Sequence, residues 1–121
     1  MPIRHVLLVD DSATDRHVIG EMLVSGGYRV TAVESAEEAF ARIGEIAPDL
    51  ILMDVVMPGQ NGFQATRQLA RDEKTKSIPV IICSSKRQET DRIWGLRQGA
   101  RDYLVKPIRQ DDLIARIKAI G

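Results

Sequence analysis

The stretch His5-Val6-Leu7-Leu8-Val9-Asp10-Asp11 runs apolar and then closes on two acids, and Leu50-Ile51-Leu52-Met53-Asp54 repeats the pattern. Apolar runs this short, bounded by turn chemistry, read as buried strands of a parallel sheet. In open α/β sheets the functional crevice lies beyond the carboxyl ends of the strands. Two strands therefore bring Asp10, Asp11 and Asp54 to one place. Like charges so close raise one another's pKa. A hard divalent cation with oxygen ligands removes that penalty, and Mg²⁺ takes one or two carboxylates while keeping room for phosphate oxygens. Any one of these acids, taken singly, reads equally well as a strand-end or helix-capping residue. Three at matched strand ends are harder to dismiss.

Outward from these runs the chain alternates strand and helix. Strands are expected at 5–10, 28–33, 50–54, 80–84 and 102–105. The first helix carries Val18, Ile19, Met22 and Leu23 inward and stops at Gly26-Gly27, which leaves a helix through a positive φ. The second opens on Ser35-Ala36-Glu37-Glu38, a capping-box pattern, with Ala39, Phe40 and Ile43 inward. A third spans about 62–70, and a fourth about 90–98 with Gly99 as its stop. The fifth, 111–120, holds Leu113, Ile117 and Ile120 on one stripe. Regular alternation without hairpin signals predicts an α/β fold, a parallel sheet covered by helices on both faces. The polar stretch 71–77 reads as a solvated loop.

Composition narrows the function. At 121 residues the chain is expected to form one domain, residues 1–121, leaving no space for an attached output module. Lys plus Arg and Asp plus Glu number 17 each, so there is no global basic footprint for nucleic acid. Cys83 is the only cysteine, which excludes an internal disulfide and a cysteine-based zinc site; one residue before the strand end, it reads as a small buried hydrophobe. No segment is long enough to span a membrane, and the first apolar stretch breaks at Asp10-Asp11 without a cleavage site, so a cytoplasmic location is expected. His5 and His17 stand at no metal or nucleophile spacing.

Further groups join the same sheet edge. The fourth strand ends in Ser84-Ser85 and the fifth in Lys106-Pro107, while Met57-Pro58-Gly59-Gln60-Asn61-Gly62 forms a turn-rich loop after Asp54 that can turn backbone groups toward a ligand. With Val9-Asp10-Asp11-Ser12, Met53-Asp54-Val55-Val56-Met57-Pro58-Gly59, the hydroxyl after strand four, and Gly99-Ala100 through Lys106-Pro107 all in order, the whole chain resembles the receiver domain of two-component response regulators. It is most similar to stand-alone, chemotaxis-type receivers, and in particular to those controlling type IV pilus twitching motility.

The resemblance implies a five-stranded parallel sheet of flavodoxin-like order 2-1-3-4-5. It implies that Asp54 is the phosphoacceptor, a carboxylate nucleophile forming an aspartyl phosphate. Asp11 and Asp54 would ligate Mg²⁺ directly, Asp10 through water, and the backbone carbonyl of Val56 would add another oxygen. Lys106 would pair with Asp54 or the phosphoryl oxygens, and Ser84 would bond a phosphoryl oxygen on its arrival. Tyr103 would switch rotamer as Ser84 vacates space, shaping an output face of helix four, strand five and helix five. The implied partners are a chemotaxis-type sensor histidine kinase and a downstream motility protein, with no nucleic acid or membrane, and the protein would act as a monomer. It would be a signalling switch rather than an enzyme, catalysing only its own phosphorylation and dephosphorylation.

Each residue also has a plainer reading. Ser84 alone is a strand-end hydroxyl, Lys106 alone a surface cation, and Tyr103 half-buried packing. Ser85 stands where receivers usually have a small residue, which leaves open which hydroxyl acts. Asn61 stands where Asp is frequent, and Val56 and Lys86 occupy the variable flanks that tune phosphoryl lifetime. Three other classes compete. A haloacid-dehalogenase-like phosphohydrolase would carry Asp-x-Asp after strand one and a cap insertion. A flavin carrier would have more aromatics and a hydroxyl-rich loop after strand one. A pseudo-receiver would have lost an acid or the lysine. On the fourth helix, about 100° per residue puts the inward centre between Ile93 and Leu96 and leaves Trp94 roughly 130° away, either a solvent-facing docking anchor or a ring folded against a neighbouring loop.

Overall fold

The computed structural model describes residues 2–57 and 59–121; Pro58, within the expected loop 57–62, lies outside the described residues. Strand and helix alternate as β1 (His5–Val9), α1 (Ala13–Ser25), β2 (Arg29–Val33), α2 (Ala36–Ile46), β3 (Leu50–Met53), α3 (Gly62–Arg71), β4 (Val80–Ser84), α4 (Glu89–Arg97), β5 (Asp102–Val105) and α5 (Gln110–Ile120). All pairings are parallel, in the order β2-β1-β3-β4-β5. β1, β3 and β4 are buried along their whole length, which is why they read as unbroken apolar runs instead of alternating ones.

The period of two along each strand divides the core. Val6, Leu8, Leu50, Leu52, Ile81, Cys83 and Leu104 face α1 and α5, meeting Ile19, Leu23, Leu113 and Ile117. Leu7, Val9, Ile51 and Met53 point the other way, onto Ala36, Ala39 and Ile46 of α2 and Ala65 and Leu69 of α3. Fully burying each such aliphatic side chain contributes about 1.5–3 kcal/mol. Burial pushes the Cys83 thiol up to about 12, leaving it unreactive packing.

Local chemistry sets the helix ends. Ser12 and Ser35 cap α1 and α2, accepting from the Asp15 and Glu38 N–H groups at 3.2 and 3.1 Å. Asn61 caps α3 in a reciprocal box with Gln64, so the Asn in place of Asp keeps the turn. α1 leaves through Gly27 at φ +94°, one residue past its Gly26 cap.

Three expectations need correction. Val18 is 44 % exposed and not part of the inward face of α1. Within the solvated 71–77 stretch, Thr75 is buried, its hydroxyl donating to the Leu69 carbonyl at 2.7 Å to close the end of α3. On α4, Ile93 is 42 % exposed and Gly95 is the buried residue. The apolar residues of this helix are not gathered on one side, so their periodicity misled. α4 packs where a side chain is missing: a Cβ at Gly95 would come within 2.9 Å of Ile82 Cδ1 and 3.1 Å of Tyr103 Cδ2.

Candidate functional site

Register builds the acidic cluster. Val9 of β1 lies opposite Met53 of β3, so the next residues, Asp10 and Asp54, emerge side by side. The Asp54 N–H donates to the Val9 carbonyl at 2.9 Å and the Asp10 N–H to the Val33 carbonyl at 3.1 Å, tying both acids to the sheet edge. A carboxylate oxygen from each of Asp10, Asp11 and Asp54 can lie within 4.8 Å of the other two. Asp10 and Asp54 are buried, whereas Asp11 is exposed. The donor set is all oxygen and anionic, which suits a hard divalent cation. The three carboxylates expected from the sequence are therefore brought together in a pocket that could hold a metal ion.

Lys106 reaches this cluster from the end of β5. Its Nζ donates to Asp10 Oδ2 at 2.7 Å and to Asp15 Oδ2 at 2.8 Å, and stands 3.5 Å from Asp54 Oδ1. The expected partner, Asp54, is thus the most distant of the three. Asp15 was missed in the sequence. It lies in the first turn of α1, 91 residues from Lys106, and no local pattern links them. Burial alone would depress the Lys106 ammonium, but its bonds to Asp10 and Asp15 and the Asp54 charge outweigh it and hold the group above its ordinary value.

Asp54 has the opposite imbalance. Desolvation, reinforced by the Asp10 and Asp11 charges and opposed by Lys106 and a backbone hydrogen bond at Val55, raises its pKa to about 6. Asp10 is better satisfied, since Oδ1 accepts from the Ser12 N–H at 2.9 Å and Oδ2 from Lys106. Val56, 55 % exposed, flanks the cluster just after Val55, whose carbonyl accepts from the Gly62 N–H at 3.0 Å.

Ser84 and Tyr103 both bond Lys86; burial also raises the pKa of the Tyr103 phenol, a rise opposed by the Ser84 hydroxyl beside it. Ser84 is fully buried and its Oγ accepts from the Lys86 N–H at 3.1 Å, whereas Ser85 is exposed. The Tyr103 hydroxyl donates to the Lys86 carbonyl at 2.8 Å. Its ring is already inward, 4 % exposed, beneath Gly95 of α4. The two side chains are coupled through the short 84–86 turn that both hold.

Comparison with known proteins agrees with this arrangement. The response regulator receiver domain model matches residues 6–118, and the chain belongs to that family. It is 50 % identical over 115 residues to protein PilH of Pseudomonas aeruginosa, covering 95 % of each chain. It is 42 % identical over 115 residues to the phosphate regulon transcriptional regulatory protein PhoB of the same organism, covering 95 % of this chain and 50 % of that one. Among solved structures it superposes on chemotaxis protein CheY4 of Vibrio cholerae with TM-score 0.90 at 27 % identity, covering 98 % of this chain and 99 % of that one. Receiver domains are the signalling switches of two-component systems and take phosphoryl groups from histidine kinases. Among the described residues no helix is long and apolar enough to cross a membrane.

Proposed function

We propose that this chain is a chemotaxis-type receiver in which Asp54 accepts a phosphoryl group from the phosphohistidine of a sensor histidine kinase. The observation that carries the reading is a buried carboxylate, Asp54, with carboxylate oxygens of Asp10 and Asp11 within 4.8 Å and the Lys106 ammonium at 3.5 Å. An Asp54 oxygen attacks phosphorus as the P–N bond breaks, and the electron pair returns to the imidazole. Asp11 and Asp54 would hold Mg²⁺, aided by the Val56 carbonyl, with Asp10 acting indirectly because both its oxygens already have partners. When bound, the cation neutralises charge on the phosphoryl oxygens. Lys106 supplies the second positive charge.

Ser84 completes the site. Its Oγ accepts from the Lys86 N–H and its O–H can donate to a phosphoryl oxygen, so any shift of Oγ toward that oxygen would pull on the Lys86 turn, whose carbonyl holds Tyr103. Charge arriving at Asp54 is thereby passed to the underside of α4. Similarity to PilH favours a role in type IV pilus twitching motility, as a cytoplasmic monomer of one domain, residues 1–121, whose downstream partner is a motility protein. The test is incubation with a small phosphodonor or a kinase panel plus Mg²⁺, followed by peptide mapping. One phosphoryl group on Asp54 is expected; label on any other residue refutes the assignment.

Two further outcomes follow. Mg²⁺ at a hundredfold its Kd should raise unfolding free energy by about 2.7 kcal/mol through linkage. Asp11→Asn, an exposed change that spares the core, should abolish most of that gain. A wild-type melting curve insensitive to saturating Mg²⁺ would mean that the pocket is not a cation site. Asp15 acts as a positioning residue: it and Asp10 engage two of the Lys106 N–H groups and leave the third toward Asp54. Asp15→Asn should slow phosphorylation from a small donor about tenfold, in line with the cost of small misplacements, and Asp15→Glu should restore most of the rate. An unchanged rate in Asp15→Asn would reduce the contact to a surface ion pair.

A further inference from the structure

The chain is neutral as a whole, but its charges are unevenly used. Arg16, Arg42, Arg92, Arg109 and Arg116 all hold carboxylates. Like Arg4, Arg29, Arg87 and Arg101, the trio of Arg67 and Arg71, one turn apart on α3, and Arg97 on α4 has no carboxylate partner among the described residues. These three line one cleft of about 440 Å³ between α3 and α4, together with Trp94 and Ala70. Asp72 lines an adjoining hollow with Arg67 and Arg71, and its Oδ1 accepts from the Lys74 N–H at 2.9 Å.

Trp94, the only tryptophan, is 50 % exposed there. It fronts α3 and so lies off the face formed by α4, β5 and α5. Gly99, at φ +112°, brings the chain hard against α3 at this cleft; a Cβ at that position would come within 2.7 Å of Ala70 Cβ. Unpaired guanidiniums beside a half-exposed indole and a small apolar floor form a surface for carboxylates interleaved with apolar side chains. Arg and Trp are also the side chains that dominate binding energy at interfaces.

We infer that the α3–α4 cleft is a docking surface for an acidic, leucine-bearing segment of a partner protein, with Arg67, Arg71 and Arg97 pairing its carboxylates and Trp94 packing on its apolar residue. This rests on the switch reading only for its regulation. Trp94 adjoins Gly95, which sits on the Tyr103 ring, so the tyrosine coupled to Ser84 supports the helix that forms one wall of the cleft.

The test uses the full chain and a fluorescein-labelled octapeptide alternating glutamate with leucine. Saturable anisotropy is expected, weakening as salt screens the pairs, together with a saturable change in Trp94 emission on titration with unlabelled peptide. The double variant Arg67→Glu, Arg97→Glu should weaken binding at least tenfold, whereas Arg92→Glu on another side of α4 should leave it within twofold. Three results would each overturn the inference: no saturable binding, equal loss in the Arg92 control, or competition by inorganic phosphate that marks a small-anion site. Circular dichroism verifies that the variants are folded. Asp54 labelling on the same preparations separates the two readings: peptide bound without label refutes only the phosphoacceptor, and label without peptide binding refutes only the cleft.

Discussion

Asp54→Asn is expected to lose phosphoryl incorporation completely and, in the absence of divalent metal, to be the more stable protein at neutral pH. The first effect follows from removing the nucleophilic oxygen. The second follows from the site's electrostatics. Burial and the neighbouring acids raise the folded Asp54 pKa from 3.8 to about 6, so the native state binds this proton more tightly than the unfolded chain does. Such a group contributes its stability in full below its unfolded value near pH 4, and that contribution is lost as pH rises through 6. The ionised form then carries a penalty of roughly 3 kcal/mol. That figure is already net of the Lys106 attraction at 3.5 Å, and asparagine never ionises, so the variant should gain up to about 3 kcal/mol. Urea titrations in a chelator should therefore show the curves of variant and wild type converging near pH 4 and separating by about pH 7.5. Equal stability across that range would mean that Lys106 fully neutralises the pocket.

Gly62→Ala should be among the most damaging single changes in the chain. Gly62 starts α3 directly over the residue after β3, and a Cβ there would overlap the Asp54 carbonyl oxygen and approach its carbon and Val55 Cα at 2.8 Å. All three contacts are backbone, so no rotamer change relieves them. Alanine would improve helix propensity by about 1 kcal/mol, far less than the overlap costs. A loss of at least about 3 kcal/mol is expected, with phosphorylation impaired because the backbone of Asp54 itself is displaced. Gly20→Ala on α1 is the matched control: no atom lies within 4 Å of its Cβ position, and stability should rise by up to about 1 kcal/mol. A Gly62→Ala protein as stable as wild type would show that α3 can back away from the loop without cost.

Much of this molecule was legible because its information is local. The buried strands read as unbroken apolar runs, and the acids that end them fall at one edge because parallel strands share a direction. The helix start at Ser35 was legible in its capping pattern, and the structure shows Ser12 and Asn61 capping α1 and α3 in the same way, each side chain bonding the N–H three residues on. The order of the strands was not local; it came with the resemblance.

The sequence by itself determined the strand–helix alternation, the buried faces of β1, β3 and β4, and the convergence of Asp10, Asp11 and Asp54. A period of two, a period of 3.6 and strand ends are properties of neighbouring residues. Only the tertiary structure decided that Lys106 bonds Asp10 and Asp15 ahead of Asp54, that Lys86 links Ser84 to Tyr103, and that Trp94 looks toward α3. Those contacts join elements far apart in the chain, where side-chain reach and packing geometry decide and periodicity carries no signal. On α4 the helix is seated by the side chain that Gly95 lacks, and hydrophobic patterning does not register a missing atom.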